Sequence, residues 1–107
     1  MKETLPKVIK KKKDIRDVVA HGEKNKGRYL VVYVKAPSGD EGRFCILVGG
    51  KVKKAVDRNR IKRLLREIVR KNKHLLKKHG DAVLCYSLNR AEISHDELEA
   101  DFKDLFV

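Results

Sequence analysis

The sequence has no tryptophan, one methionine, two prolines and two cysteines among its 107 residues. Two cysteines cannot supply the several disulfides that hold small secreted domains together, which argues against a fold of that kind. Two prolines and seven glycines are too few for a chain rich in flexible linkers. No apolar run approaches the ~20 residues of a membrane span or forms the core of a secretory signal. We therefore expect a cytoplasmic protein with no membrane partner.

Acidic side chains are the other shortage. The chain has 15 Asp and Glu residues against 27 Lys and Arg residues, a formal net charge of +12. The imbalance is local, because residues 51–78 carry 13 basic and 2 acidic side chains, whereas residues 79–107 carry 2 basic and 7 acidic ones. A positive field concentrated on one stretch attracts a polyanion, whereas an ordinary solvated surface mixes the signs. Nucleic acid is therefore the expected class of partner.

Apolar residues make up 41% of the chain, enough for a single domain over 1–107, with 1–12 as a basic N-terminal arm. Runs of β-branched and aromatic residues predict three strands, at 28–36, 43–49 and 81–87. Apolar residues at helical spacing predict three helices, at 12–21, at 57–79 and from Ser94 onward. The expected fold class is α+β, a small α/β sandwich in the order helix, strand, strand, helix, strand, helix, with room for one further strand before the second helix.

Local signals predict how these elements begin and end. Glycine favours the end of a helix, so Gly22 and Gly80 are expected to terminate the first two helices. Asp57 is the expected N-cap of the second helix, and Ser94 with Glu97 forms a capping box at the third. A loop is expected at 23–27, and the turn residues at 37–42 predict that the first two strands form an antiparallel hairpin.

The helix at 57–79 has two contrasting faces. Its apolar residues cover an arc of about 140° at 100° per residue. The opposite face is polar and almost entirely cationic, with Asn59, Lys62, Arg63, Arg66, Arg70, Lys73 and Lys77. Solvated helix faces usually pair Glu with Lys four residues apart, and Glu67 is the one acid within this stretch. The pattern indicates a surface for phosphates, extended toward the N-terminus by Lys51, Lys53 and Lys54.

A family resemblance appears at the Arg-Asn-Arg tripeptide of this helix. The segment KVKKAVDRNRIKRLLREIVR at 51–70 resembles the signature of the bacterial ribonuclease P protein family. Two flanking segments resemble a strand of that family and its last strand and helix, namely GRYLVVYV and HGDAVLCYSLNRAEISHDELEADFKDLF. The resemblance implies the protein subunit of an RNA-based endonuclease that removes the 5′ leader of precursor tRNA. It also implies a left-handed β-α-β crossover around the basic helix.

The resemblance implies two binding surfaces. Family positions that face the catalytic RNA, or its junction with the substrate, correspond to Arg58, Asn59, Arg60, Lys62, Arg63 and Arg66. The second implied surface is a cleft between the first helix and the sheet that would bind the single-stranded leader, and Tyr33 matches an aromatic residue of that cleft. Half-buried strand packing is the alternative for Tyr33. Ile15 and Val19 stand where the family usually has two phenylalanines. Tyr86 stands where a small residue is usual, so we hypothesise that it restores a stacking platform.

The expected partners are ribonuclease P RNA and precursor tRNA, with no obligate protein partner. Phosphodiester hydrolysis by a protein needs metal-binding carboxylates, an acid–base pair or an activated nucleophile, and the basic stretch offers none of these in quantity. We expect no catalytic residue and no bound metal in the chain, with Mg²⁺ held mainly by the partner RNA. Three alternatives stay open: a general RNA-binding or ribosomal protein, a DNA-binding regulator, and a metal-dependent nuclease acting alone.

Overall fold

A computed structural model of the chain describes residues 7–36 and 42–106, and the side chains of 8–36, 42–76 and 80–106. Its elements follow in the order β1 (Lys7–Val8), α1 (Lys12–His21), β2 (Glu23–Lys26), β3 (Leu30–Lys35), β4 (Arg43–Val48), α2 (Ala55–Lys71), α3 (Lys73–His79), β5 (Asp81–Tyr86) and α4 (His95–Phe106). The mixed α+β class predicted from the sequence is confirmed. No helix in these ranges is long and apolar enough to cross a membrane.

The strands form one sheet in the order β1-β4-β5-β3-β2. The central strand β5 pairs in parallel with β4, where Phe44 lies opposite Ala82, and antiparallel with β3, where Tyr33 lies opposite Val83. Strand β5 is buried along almost its whole length, which is typical of a central strand covered on both faces. The connection from β4 through α2 and α3 to β5 is therefore a β-α-β crossover between neighbouring parallel strands.

Side chains alternate between the two faces of the sheet and enter two separate clusters. On one face, Phe44 and Leu84 pack with Leu65 of α2 and Phe102 of α4 in the main core. On the other face, a smaller cluster joins the sheet to α1 through Ile9, Val18, Cys45 and Val83, with Ile15, Tyr33 and Cys85 packed against it. One face of the sheet thus carries α2, α3 and α4, and the other carries α1.

The predicted hairpin is wrong. Strands β3 and β4 do not pair with each other, because β5 lies between them and pairs with both. The continuous apolar run of β5 gains most by occupying the centre, where both of its edges are hydrogen-bonded. Most of the predicted turn, residues 37–41, lies outside the described residues.

Strands β1 and β2 were not predicted. Strand β1 pairs with Arg43 and Phe44, and Ile9 just after it is only 2% exposed. Residues 7–9 of the predicted basic arm thus join the sheet and the core, and 1–6 lie outside the described residues. The predicted loop at 23–27 contains β2, whose sequence EKNK lacks strand-forming residues because it occupies a solvated sheet edge.

The predicted long helix is two helices separated at Asn72. This residue leaves helical geometry at φ −117° and ψ 29°, and its side-chain amide donates to the carbonyl oxygen of Ile68 at 2.9 Å. Asn competes in this way with the helical hydrogen-bond ladder. The helix also begins earlier than predicted: Lys54 is the N-cap, without a side-chain cap bond, and Asp57 lies in the first turn, where its charge favours the helix dipole.

The predicted glycine stops and the predicted capping box are confirmed. Gly80 ends α3 with a positive φ of 110°, and Gly22 ends α1. The capping box at α4 is formed in both directions, because the Glu97 backbone N–H donates to Ser94 Oγ at 3.1 Å and the Ser94 N–H donates to the Glu97 carboxylate at 3.3 Å.

A buried carboxylate ties α4 to the turn between β2 and β3. The side chain of Asp101 accepts hydrogen bonds from three successive backbone N–H groups, those of Arg28, Tyr29 and Leu30, at 2.8–2.9 Å. A Cβ atom at Gly27 would lie 2.5 Å from an Asp101 oxygen, so the approach of the turn to the carboxylate requires glycine there. This contact holds the β2–β3 edge of the sheet against the last helix.

We predict that Asp101→Ala lowers the free energy of unfolding by roughly 3 kcal/mol. The substitution leaves three backbone N–H groups without their acceptor, and each such group that is buried costs about 1–3 kcal/mol. Urea denaturation monitored by circular dichroism measures the change. Asp104→Ala removes an exposed carboxylate from the same helix and is the matched control. Equal stability of the two variants would contradict the role of Asp101.

Candidate nucleic-acid interface

Helix α2 presents its polar side to solvent because its apolar side is committed to the core. Ile61, Leu65 and Ile68 are fully buried against the sheet and α4. Arg63, Arg66 and Asn59 are exposed on the other side of the helix, and Lys62 is half-buried beside them. Just before the helix, Val52 is buried and anchors a segment whose lysines at 51, 53 and 54 are exposed. We call this surface the basic face: Lys51, Lys53, Lys54, Asn59, Lys62, Arg63 and Arg66.

The two arginines of the Arg-Asn-Arg tripeptide are engaged within the protein. Arg58 donates to the carbonyl oxygens of Val52 and Lys53 at 2.7 and 2.8 Å, which fixes the segment that leads into α2. Both have other N–H groups that can reach outward, since a guanidinium has five donors. Charge patterning alone could not distinguish these arginines from the freely exposed ones.

Arg60 fixes a different segment. It donates to the carbonyl oxygens of Ile93 and Ala91 at 3.1 and 2.5 Å, and so joins the first half of α2 to the loop between β5 and α4. Both of these predicted RNA-binding arginines thus shape the surface from which Asn59 projects. Only a structure shows this, because the carbonyl partners of Arg60 lie more than thirty residues away.

Arg70, at the far end of the predicted surface, forms an ion pair with Glu67 one turn earlier. The Arg70 guanidinium holds the pKa of the Glu67 carboxyl below its ordinary value, mainly through this hydrogen bond. The positive charge of Arg70 is therefore partly neutralised, and the basic face is strongest over the first half of α2.

On the other face of the sheet, α1 covers only one end. Asp14 of α1 contacts Arg43 at 3.4 Å, at the start of β4, and Asp17 forms an ion pair with Lys35, at the end of β3. The Lys35 hydrogen bond, assisted by one from His21, lowers the pKa of the Asp17 carboxyl. These contacts hold α1 over the ends of the strands that carry residues 35, 43 and 81.

The other end of that face is open. The strand register places Val31, Leu47 and Cys85 on the α1 face, beyond the helix. Leu47 is 40% exposed, and Val31 and Cys85 are half-buried. These partly exposed side chains form an apolar floor beside α1. We call it the α1 cleft, defined by Ile15, Val19, Val31, Tyr33, Leu47 and Cys85.

Of the four residues that the sequence assigned to a leader cleft, Ile15 and Val19 lie on α1 and Tyr33 lies on the sheet face that α1 covers, while their role in leader binding stays a prediction. Tyr33 is half-buried and packs with Ile15 in the smaller cluster. Val19 lies on α1 and is 37% exposed. Leu47, Val31 and Cys85 were not identified from the sequence, because finding them requires the register of β3, β4 and β5 and not only the alternation within one strand.

The hypothesis for Tyr86 is wrong. Tyr86 is fully buried in the main core, on the face opposite the α1 cleft, and its hydroxyl donates to the Arg90 carbonyl oxygen at 2.5 Å. Burial also raises the pKa of this phenol. Its neighbour Cys85 faces the cleft, so a single position in the strand separates a cleft residue from a core residue.

The remaining reactive groups lie elsewhere or are inert. Burial raises the pKa of the thiols of Cys45 and Cys85, which keeps both in the unreactive neutral form. One ligand atom each from His95, Asp96 and Glu99 come within 4.8 Å of one another and could hold a metal ion. This cluster belongs to the first turns of α4, and Glu99 there accepts a hydrogen bond from Asn72 at 3.2 Å. It lies outside the basic face and the α1 cleft.

Comparison with known proteins decides the family. A family model described as ribonuclease P matches residues 5–107. The chain belongs to the ribonuclease P protein family. The ribonuclease P protein component of Clostridioides difficile (strain 630) is 33% identical over 100 residues, covering 92% of this chain and 88% of that protein.

Solved structures of ribonuclease P proteins share the fold. The protein from Thermotoga maritima matches with a TM-score of 0.81 and 25% identity over 94% of both chains. The protein from Staphylococcus aureus matches with a TM-score of 0.80 and 27% identity, covering 91% of this chain and 89% of that one. The chain is thus a protein component of ribonuclease P, the RNA–protein endoribonuclease of tRNA processing, which works with its RNA.

We predict that Arg60→Ala destabilises the fold whereas Arg63→Ala does not. The first variant removes charge-assisted bonds to two carbonyl oxygens, at about 1.5–3 kcal/mol for a hydrogen bond to a charged group. The second variant removes an exposed guanidinium from the same helix, so both variants change the net charge by the same amount. Urea midpoints of the two variants measure the difference, and equal midpoints would show that Arg60 does not act as a tether.

Proposed function

We propose that this ribonuclease P protein binds the catalytic RNA through its basic face and the 5′ leader of precursor tRNA through the α1 cleft. The observation that carries the proposal is the separation of these surfaces onto opposite sides of one sheet. One surface is exposed and cationic, and the other is partly exposed and apolar, with one tyrosine. Folded RNA presents phosphates to the first, and unpaired bases fit the second.

The basic face suits folded RNA because its cations are held apart from acids. Asp57 and Glu67 are the carboxylates of the described part of α2, and Glu67 is paired with Arg70. Phosphates neutralised by Arg63 and Arg66 repel one another less, so the RNA folds and holds its substrate at a lower Mg²⁺ concentration. In this proposal the Mg²⁺ of the reaction is held mainly by the RNA, and the protein contributes no reacting group.

The α1 cleft suits a single strand because its lining is apolar and aromatic. Unpaired bases stack on a tyrosine ring and bury their faces on aliphatic side chains. Mature tRNA has lost its leader, so contacts in the cleft favour precursor over product. A cytoplasmic location for this activity stays a prediction.

Reconstitution tests the proposed function. We expect the protein and a bacterial ribonuclease P RNA, mixed at low Mg²⁺, to cleave precursor tRNA at the mature 5′ end, and neither component alone to do so under these conditions. Arg63→Ala/Arg66→Ala should weaken RNA binding and reduce the slope of log affinity against log salt by about 1.8, at roughly 0.9 per duplex phosphate contact. Lys103→Ala removes an exposed positive charge from α4, away from the basic face, and is the control that should leave RNA binding unchanged.

Two results would contradict the proposal. Cleavage of precursor tRNA by the purified protein without RNA would indicate a nuclease that acts alone. Equal affinity for ribonuclease P RNA and for an unrelated structured RNA or duplex DNA of similar length would indicate a general nucleic-acid-binding protein.

Tyr33 tests the cleft separately from the basic face. We expect Tyr33→Ala to reduce the preference of the holoenzyme for precursor over mature tRNA by about tenfold, since a stacked base contributes roughly 1–3 kcal/mol. Tyr33→Phe keeps the ring and should keep the preference. Tyr86→Phe, which loses the bond to the Arg90 carbonyl, should leave the preference unchanged and alter only stability. An unaltered preference in a folded Tyr33→Ala variant would remove Tyr33 from the leader site.

A further inference from the structure

Strand β2 places two exposed lysines along the border of the α1 cleft. Lys24 lies directly opposite Tyr33, and Lys26 lies directly opposite Val31, in the antiparallel pairing of β2 with β3. Residues paired in this way project from the same face of the sheet, with Cβ atoms roughly 4.5–5.5 Å apart. Both lysines therefore rise beside the aromatic and apolar lining of the cleft.

On the cleft face of the sheet, the charged side chains of β2 are all positive. Glu23 and Asn25 are paired with Val34 and Val32, so they project from the opposite face. Lys35, the next cation of the cleft face, is neutralised by its ion pair with Asp17. Among the described residues, no carboxylate forms an ion pair with Lys24 or Lys26. The two ammonium groups are thus available to an external anion.

The spacing of the lysines matches a strand of nucleic acid running along β2. Alternate residues of an antiparallel strand recur about every 6.8 Å, twice the rise of roughly 3.4 Å per residue. Phosphates of a stacked single strand recur at about 3.4 Å along its axis. The two ammonium groups can therefore meet alternate phosphates of a stacked strand, or successive phosphates of a more extended one.

We propose that Lys24 and Lys26 form a cationic rail that binds phosphates of the precursor-tRNA leader while Tyr33 and the apolar floor contact its bases. The proposal rests on the leader-binding function proposed for the α1 cleft. It accounts for how a cleft with aliphatic Ile15 and Val19 on its helical wall binds a single strand, because ionic contacts to the phosphates add to stacking on a single tyrosine.

The rail makes the salt dependence of leader binding the decisive measurement. The quantity is the ratio of holoenzyme affinities for precursor and mature tRNA, measured over a tenfold range of salt, since the ratio cancels contacts to the tRNA body. Each contact to a single-stranded phosphate contributes about 0.7 to the salt exponent. Lys24→Ala/Lys26→Ala should therefore lower the exponent of the ratio by about 1.4, and wild type should lose roughly 25-fold more leader preference than the variant over that range.

Matched variants separate the rail from other effects. Lys24→Arg/Lys26→Arg keeps both charges and should retain the wild-type exponent. Lys103→Ala removes one exposed lysine from α4 and should leave the ratio unchanged. Lys26 also lines a cavity whose other wall is α4 and includes Asp104, so Lys24→Ala is a cleaner single variant than Lys26→Ala. Both lysines are exposed on an edge strand, and circular dichroism checks that the variants fold.

Three outcomes would overturn the rail. If wild type prefers precursor and the double alanine variant keeps both the preference and its exponent, the rail is wrong and the cleft stands. If the variant weakens binding of the catalytic RNA and leaves the ratio unchanged, the lysines belong to that interface instead. If the wild-type holoenzyme shows no preference for precursor over mature tRNA, the leader-binding function of the cleft fails, and the rail fails with it.

Discussion

The packing of α2 against the sheet is the interaction on which the rest of the structure depends. Ile61, Leu65 and Ile68 are fully buried, and burying a side chain of this size contributes about 1.5–3 kcal/mol. Like charges one turn apart on a helix oppose this by only a few tenths of a kcal/mol per pair. Burial therefore decides the rotation of the helix about its axis, and the cations point outward because the apolar stripe points inward. The basic face follows from the core.

The same sheet leaves its other face partly open for a geometrical reason. Five strands about 4.8 Å apart extend over roughly 19 Å from the first to the last. A helix of ten residues is about 15 Å long, and α1 is held over one end of the sheet by Asp14 and Asp17. One short helix cannot cover that face, whereas α2, α3 and α4 together cover the opposite one. The α1 cleft is the uncovered remainder, which explains why apolar residues such as Leu47 meet solvent there.

The sequence predicted features that depend on neighbouring residues, and it did not predict features that depend on contacts with residues far along the chain. The capping box of Ser94 and Glu97 and the glycine at position 80 were predicted correctly because each acts within a few residues. The pairing of β3 and β4 with β5, the strand character of β2 and the break at Asn72 depend on distant groups. The site shows the same division: the exposed arginines were predicted from charge periodicity, but the tethering by Arg60 was not. Tyr86 was assigned to the wrong face because the sequence alone does not show which alternate residues of a strand point to which side of the sheet.

The composition of the α1 cleft bears on which features of a leader it can distinguish. Aliphatic floor residues such as Val31 and Leu47 offer no hydrogen-bonding groups to base edges. In the proposed complex, the lysine ammonium groups contact phosphates, which are the same in every sequence. A stacking tyrosine accepts any base, because every base has a π-face. In the proposed complex, such a lining distinguishes an unpaired, anionic strand from a duplex and discriminates little between leader sequences. This suits a subunit whose proposed substrates share a tRNA body and differ in their leaders, since discrimination between precursor and product then needs only the presence of the leader.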